Sequence, residues 1–117
     1  RIRGIPVQIG GTSYVPPLPI ETVVIERIDE IRSQDKEPIE IAIELCMYCM
    51  KTQVFKDGNK RASVIFANHY LIAQGMGFLV IPEKDVPEFK KLLVQYYEGE
   101  PLEVIGAFLK ERCWKNF

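Results

Sequence analysis

One segment of the chain is apolar on nearly every side, and this limits the folds that are possible. Residues 39–51 read IEIAIELCMYCMK, and in a helix their aliphatic and sulfur-containing side chains would cover almost the whole circumference. The alternation of Ile39, Ile41 and Ile43 also suits a strand, but the length of the run favours a helix. Such a helix has to be surrounded by other elements, so we expect it to be the buried centre of the domain.

Four other segments have apolar residues at helical spacing, namely residues 21–34, 59–74, 86–97 and 102–114. The apolar positions are Val24, Ile25, Ile28 and Ile31 in the first and Val64, Ile65, Ala67, Leu71 and Ile72 in the second. Glycines after residue 74, and prolines near the start of the last two segments, are typical of helix boundaries.

The strand signals are short and lie elsewhere in the chain. Residues 5–9 alternate apolar and polar side chains and end at Gly10 and Gly11, which predicts a strand entering a hairpin turn. The segment FLVIP at residues 78–82 is too short to assign. We therefore predict a mainly α fold, with about five helices and a short β-hairpin.

Length and composition restrict the class of protein. The 117 residues suit one domain, so we expect a single unit over residues 1–117, with core helices from about residue 20 to 114. A net charge of -1 gives no sign of direct nucleic-acid binding.

The apolar runs end before the roughly 18 residues of a membrane span, and no signal peptide opens the chain. We therefore expect a cytoplasmic protein without a membrane partner. Because the chain begins at Arg1, we also expect it to lack an N-terminal portion.

The chain has three cysteines, an odd number that argues against a disulfide framework. Cys46 and Cys49 form a C-x-x-C motif, which in other settings binds zinc or exchanges thiols. Here the motif lies inside the apolar helix and is not accompanied by a second pair of ligands. We therefore predict that both are thiols packed in the core.

The segment Asp57-Gly58-Asn59-Lys60-Arg61 leads into the helix predicted from residue 59. The free amides and the positive dipole end of a first helical turn attract anions, and Gly58 allows a phosphate to approach the backbone. Asp57 is a hard oxygen ligand suited to Mg²⁺, while Asn59, Lys60 and Arg61 can donate hydrogen bonds to phosphate. From composition alone the same residues are more often a turn with an N-cap.

Two segments resemble the Fic family, which is named for filamentation induced by cAMP and includes the death-on-curing proteins. Residues 53–63, QVFKDGNKRAS, are similar to the signature H-x-F-x-D/E-G-N-G/K-R. Residues 3–17, RGIPVQIGGTSYVPP, are similar to the flap hairpin of the family and its proline-rich exit. Two matched segments in the expected order are far more specific than either one alone.

The resemblance implies a mainly helical protein that transfers AMP from ATP to a hydroxyl group of a target protein with the help of Mg²⁺. It assigns the metal to Asp57, the phosphates to the four residues that follow, and the seating of the loop to Phe55. The flap, residues 4–15, would bind a segment of the target protein as an added strand. The residues expected to make that contact are Val7, Gln8, Ile9, Gly10 and Gly11.

The chain departs from the family pattern at its catalytic position. The signature histidine, the expected general base, is replaced by Gln53, and a carboxamide cannot accept a proton at a useful pKa. His69, the one histidine of the sequence, lies ten residues beyond Asn59, roughly 15 Å along a helix, so it cannot substitute. We predict a structural role for His69.

Three further points leave the activity open. Val64 stands where many family members have a second arginine, and Lys60 is nearer to the death-on-curing branch, which is associated with transfer of phosphate. Ser33 to Glu37 has only part of the spacing of an inhibitory helix. Besides an impaired adenylyltransferase, the alternatives are an inactive nucleotide-binding or interaction module, a toxin-antitoxin component controlled by an inhibitory partner, and an engineered Gln53 in an active enzyme.

Overall fold

In the computed structural model, which describes residues 21–52 and 59–115, five α-helices dominate the described residues. They are α1 Glu21–Arg32, α2 Pro38–Thr52, α3 Asn59–Ala73, α4 Val86–Tyr97 and α5 Leu102–Phe108. A short 3-10 turn, Glu83–Asp85, precedes α4, and a π-helical turn, Leu109–Cys113, follows α5. The mainly α prediction is confirmed. The predicted flap hairpin lies outside the described residues.

Helix α2 is the centre around which the other helices pack. Most of its residues are buried, and α1, α3 and α5 all contact it. Ile39, Met47 and Met50 face the larger cluster of apolar side chains, shared with α3, α4 and α5, while Ile41 and Leu45 face a smaller cluster shared with α1. The prediction that the run 39–51 is a buried helix is confirmed.

Helix α1 covers one side of α2 through a narrow apolar stripe. Val24 and Ile31 are buried and Ile28 is partly buried, as expected for positions that repeat on one helical face. Ile25 is adjacent to this stripe in sequence but points about 100° away from Val24, and it is 49% exposed. The apolar spacing identified the helix without distinguishing the residues that face the core.

A half-buried carboxylate ties α1 and the following turn to α2. Gln34 Nε2 donates a hydrogen bond to Glu44 Oε1 at 2.9 Å. Arg27 and Lys36 form ion pairs with the same carboxylate, at 3.4 and 3.5 Å. The apolar and ionic contacts together fix α1 against its neighbour.

Helix α3 ends in a Schellman motif, as its glycines predict. Gly75 has a φ of 70°, in the left-handed region that glycine adopts without steric cost. The amide of Met76 donates to Leu71 O at 3.1 Å, and the amide of Gly75 donates to Ile72 O at 2.9 Å, which satisfies carbonyls left open at the helix end. The chain then reverses toward the short strand β1, Phe78–Leu79.

The last predicted helix, residues 102–114, is shorter than expected. The α-helical part stops at Phe108, and after the π-helical turn the chain becomes strand β2, Trp114–Lys115. Strand β2 pairs antiparallel with β1, with Phe78 opposite Lys115 and Leu79 opposite Trp114. The Trp114 indole also donates a hydrogen bond to Met76 O at 2.7 Å. These contacts join residues that are distant in sequence. They explain why α5 ends early and why the segment after Gly77, which the sequence did not assign, forms a strand.

Asn68 joins α3 to this small sheet. Its side-chain amide donates to Leu79 O at 2.9 Å and its carbonyl oxygen accepts a hydrogen bond from Leu79 N at 2.6 Å. The side chain therefore imitates a neighbouring strand, because it satisfies both backbone groups of one residue. The backbone N–H and C=O groups of Leu79 would both lose this hydrogen-bond partner if the Asn68 amide were removed.

We predict that Asn68→Ala lowers the free energy of unfolding by about 2 kcal/mol, because two backbone groups of Leu79 become unsatisfied. Urea denaturation followed by circular dichroism measures the change. His69→Ala, at the adjacent exposed position of the same helix, is the control and should stay within about 0.5 kcal/mol of the wild type. Equal losses in the two variants would contradict the role assigned to Asn68.

Candidate functional site

The first turn of α3 carries the described end of the signature segment. The helix begins at Asn59, so Lys60 and Arg61 both lie in this turn, and both are exposed. The turn contains no acidic residue. The first amides of a helix lack partners within it, and the helix dipole adds positive potential at this end. Two cationic side chains and a helix N-terminus therefore coincide.

Beside this turn lies a groove with a volume of about 560 Å³. Helix α3 forms one wall, residues between Ile81 and Lys90 form a second wall, and Met50 of α2 also lines the groove. The described lining residues are Met50, Lys60, Arg61, Val64, Ile65, Ile81, Val86, Phe89 and Lys90. Most of the described surface of the groove is thus apolar.

The charged residues among the described lining of this groove all have the same sign. Lys60 and Arg61 lie on the α3 wall, and Lys90 lies on the α4 wall. Within residues 21–52 and 59–115, the observed ion pairs involve other side chains, so none of these three cations is neutralised by a described carboxylate. A surface of this kind favours a ligand that combines an apolar or aromatic part with negative charge.

The α4 wall is held in place by contacts at both of its ends. Near its start, the buried Asp85 carboxylate lies 3.4 Å from Arg112 Nη1, in the turn after α5. Near its end, the Tyr97 hydroxyl donates a long hydrogen bond of 3.5 Å to Met50 O, and the Lys51 ammonium lies 4.9 Å from the centre of the Tyr96 ring. The last turn of α2 and helix α4 are therefore fixed relative to each other.

A sequence model of the Fic/DOC family matches residues 1–71. This chain belongs to the Fic/DOC family. The matched part runs through α1, α2 and most of α3, and it includes the complete signature segment. A search of curated proteins finds no match. The second wall of the groove, from Ile81 to Lys90, lies beyond the residues that the family model covers.

Of the predicted site residues, the structure brings Lys60 and Arg61 to one groove. For Asn59 it gives the position in the chain, at the first residue of α3. The other predicted positions lie outside the described residues and stay predictions. These are Gln53, Phe55, Asp57 and Gly58 of the Fic signature and Val7, Gln8, Ile9, Gly10 and Gly11 of the flap.

Sequence reasoning missed the second wall of the groove. The sequence predicts only an amphipathic helix for Val86, Phe89 and Lys90, because helical spacing identifies the element without showing what it faces. The apolar spacing places Val64 and Ile65 in α3, and the family resemblance also places Val64 where many members have a second arginine. In the structure both border the groove, and Ile65 is 57% exposed. The exposure of Ile65, one turn after the Fic signature, marks an apolar surface, but helical spacing alone does not show whether a neighbouring element covers this residue.

His69 lies away from this groove. It is exposed and borders a different depression, between α1 and α3, together with Arg32 and Phe66. Eight residues of helix separate it from Arg61, which corresponds to about 12 Å. The position agrees with the prediction that His69 does not replace the missing signature histidine.

The cysteines are free and buried, and the predicted packing of Cys46 and Cys49 in the core is confirmed. Burial raises the pKa of the Cys46 thiol, and the neighbouring Cys49 raises it further. Burial raises the pKa of Cys49 to about 12. Burial and then the charge of Asp85 raise the pKa of Cys113 to about 11. All three side chains therefore remain neutral thiols near neutral pH.

We predict that these thiols make the fold less stable in alkali. From about pH 9, the ordinary thiol pKa, the unfolded chain loses the Cys49 proton, whereas the folded chain keeps it until about pH 12. The contribution of Cys49 to the free energy of unfolding is therefore fully present below pH 9. Above pH 9 it declines by up to about 1.4 kcal/mol per pH unit. Urea titrations between pH 8 and 11 measure the slope. Cys49→Ala should show a shallower slope, and an unchanged slope would contradict the assignment.

Proposed function

We propose that this Fic-domain protein binds ATP in the groove beside α3 and transfers its AMP part to hydroxyl groups of target proteins. The observation that carries the proposal is the position of Lys60 and Arg61, which follow the signature directly and border the groove at a helix N-terminus. Membership of the Fic/DOC family supports the same interpretation.

The groove has the properties that a nucleotide site requires. Its volume of about 560 Å³ lies within the usual range of about 300–1,000 Å³ for small-molecule sites. The apolar residues Val64, Ile81 and Phe89 suit a base, and the cations of the first α3 turn suit phosphates. Helix N-termini bind phosphate through free amides and the dipole. Together these features support a nucleoside phosphate as the ligand.

The proposed reaction is a displacement at the α-phosphorus of ATP. The target hydroxyl oxygen forms a bond to this phosphorus, the bond to the oxygen that bridges to the β-phosphate breaks, and pyrophosphate leaves. The hydroxyl proton has to be removed during this step. Gln53 cannot accept it, so the proton passes to solvent, and we expect a rate about 10² to 10⁴ lower than with a positioned base.

The proposed reaction uses Mg²⁺, and the proposed ligand of this ion is Asp57. Mg²⁺ reaches proteins through one or two carboxylates together with phosphates of the substrate, and the described lining of the groove contains no carboxylate. Asp57, four residues before Arg61 in the signature, is the residue to which the family resemblance assigns the ion. The flap residues from Val7 to Gly11 remain the proposed contact for the target protein.

We predict that Arg61→Ala weakens ATP binding about 10-fold or more, because it removes charge-assisted hydrogen bonds to phosphate. Isothermal titration calorimetry with ATP and Mg²⁺ measures the dissociation constant. Arg32→Ala removes the same side chain at an exposed position on α1 and should bind like the wild type. Absence of heat and of any thermal shift with the wild-type chain would refute the proposed ligand.

We predict that Gln53→His raises AMP transfer about 10² to 10⁴-fold, because it supplies the general base. The assay incubates the chain with ATP labelled on its α-phosphate, Mg²⁺ and a cell lysate, and measures label bound to protein. The double variant Gln53→His, Asp57→Ala should abolish the gain because the proposed metal ligand is lost. A parallel assay uses ATP labelled on its γ-phosphate. If Gln53→His transfers that label and none from the α-phosphate, the proposed AMP transfer is wrong and the enzyme is a kinase.

A further inference from the structure

The groove has a cation on an element other than the helix that carries the end of the Fic signature. Lys90 lies in α4, whereas Lys60 and Arg61 lie in α3, and all three border the same groove. The α4 side chains divide into two rows. Phe89, Leu93 and Tyr97 are buried, while Val86 and Lys90, one turn apart, border the groove together with one edge of this buried row at Phe89. The buried row fixes the orientation of α4 and with it the side on which Lys90 lies.

A phosphate chain in this groove needs positive charge beyond the first turn of α3. One turn after Lys60 and Arg61, the α3 wall continues with Val64 and Ile65, which offer no hydrogen bond to a phosphate. Any phosphate group beyond the reach of the first turn therefore has to find its counter-charge on another element. Among the described lining residues, Lys90 is the cation that lies off α3.

We propose that Lys90 binds the phosphate chain of the nucleotide from the α4 wall and makes the groove select ligands by their negative charge. The inference rests on the proposed function, because it concerns the same groove and ligand. Lys90 is exposed, and no ion pair with another described residue occupies it. Its flexible stem allows the ammonium group to turn toward the groove when a phosphate is present.

A cation that acts through charge should affect ligands in proportion to their charge. ATP carries more negative charge than AMP, and adenosine carries none. Removing Lys90 should therefore weaken ATP most, AMP less and adenosine not at all. Salt should reduce the difference between variant and wild type, because mobile ions screen exposed charges.

The test is calorimetric titration of the full chain with ATP, AMP and adenosine, at about 50 and 500 mM salt. We expect Lys90→Ala to weaken ATP about 3- to 10-fold at low salt, the range for one exposed cation meeting a phosphate. Lys90→Arg keeps the charge and should bind ATP within about 2-fold of the wild type. The matched control is Lys91→Ala, which removes the neighbouring exposed lysine that does not line the groove.

The outcomes separate the two proposals. Suppose that Arg61→Ala weakens ATP binding but Lys90→Ala and Lys91→Ala bind ATP with equal affinity. This result would overturn the role of Lys90 and leave the proposed nucleotide site intact. An equal loss for ATP and adenosine would also overturn it, because the effect would then come from packing rather than charge. If the wild-type chain binds none of the three ligands, both proposals fail. Thermal melts of each variant confirm that the fold is retained.

Discussion

Burial of α2 is the constraint on which the rest of the structure depends. A helix with apolar side chains on almost every side loses hydrophobic stabilisation wherever it faces water, at about 25 cal/mol for each Å². Helices α1, α3 and α5 contact it directly, and α4 reaches its last turn through Tyr96 and Tyr97. The same packing places the end of α2 at Thr52 and the start of α3 at Asn59, the two points that the signature residues connect.

The candidate groove combines a helix start that the family model covers with a wall that the model does not cover. Lys60 and Arg61 belong to the matched residues, and Phe89 and Lys90 do not. The chain as a whole carries a net charge of -1, yet the charged side chains of the described groove lining are all positive. Local concentration of one sign, rather than the overall charge, therefore determines which ligand this surface attracts.

Local patterns predicted the helices well and the tertiary contacts poorly. The bounds of α4 at Val86 and Tyr97 follow from a proline start and regular apolar spacing, and the Gly75 end of α3 follows from its conformational freedom. The strand at Trp114 and the groove wall at Lys90 depend on contacts with residues distant in sequence. The periodicity of apolar residues does not reveal such contacts. The exposure of Ile25 and Ile65 has the same cause, because helical spacing does not show how much of each face a neighbour covers. Resemblance, rather than spacing, distinguished the segment around Asp57 from an ordinary turn.

The pairing of Leu79 with Trp114 makes the intervening chain a closed loop, and this loop contains α4 and α5. Its closure has an entropic cost that grows with the logarithm of loop length, so the contacts that hold the two ends together form late relative to helices built from local contacts. The wall that carries Lys90 thus belongs to a segment tied at its base to α3 through Asn68. The groove wall at Lys90 therefore lies within a loop that is closed only when the C-terminal strand pairs with β1.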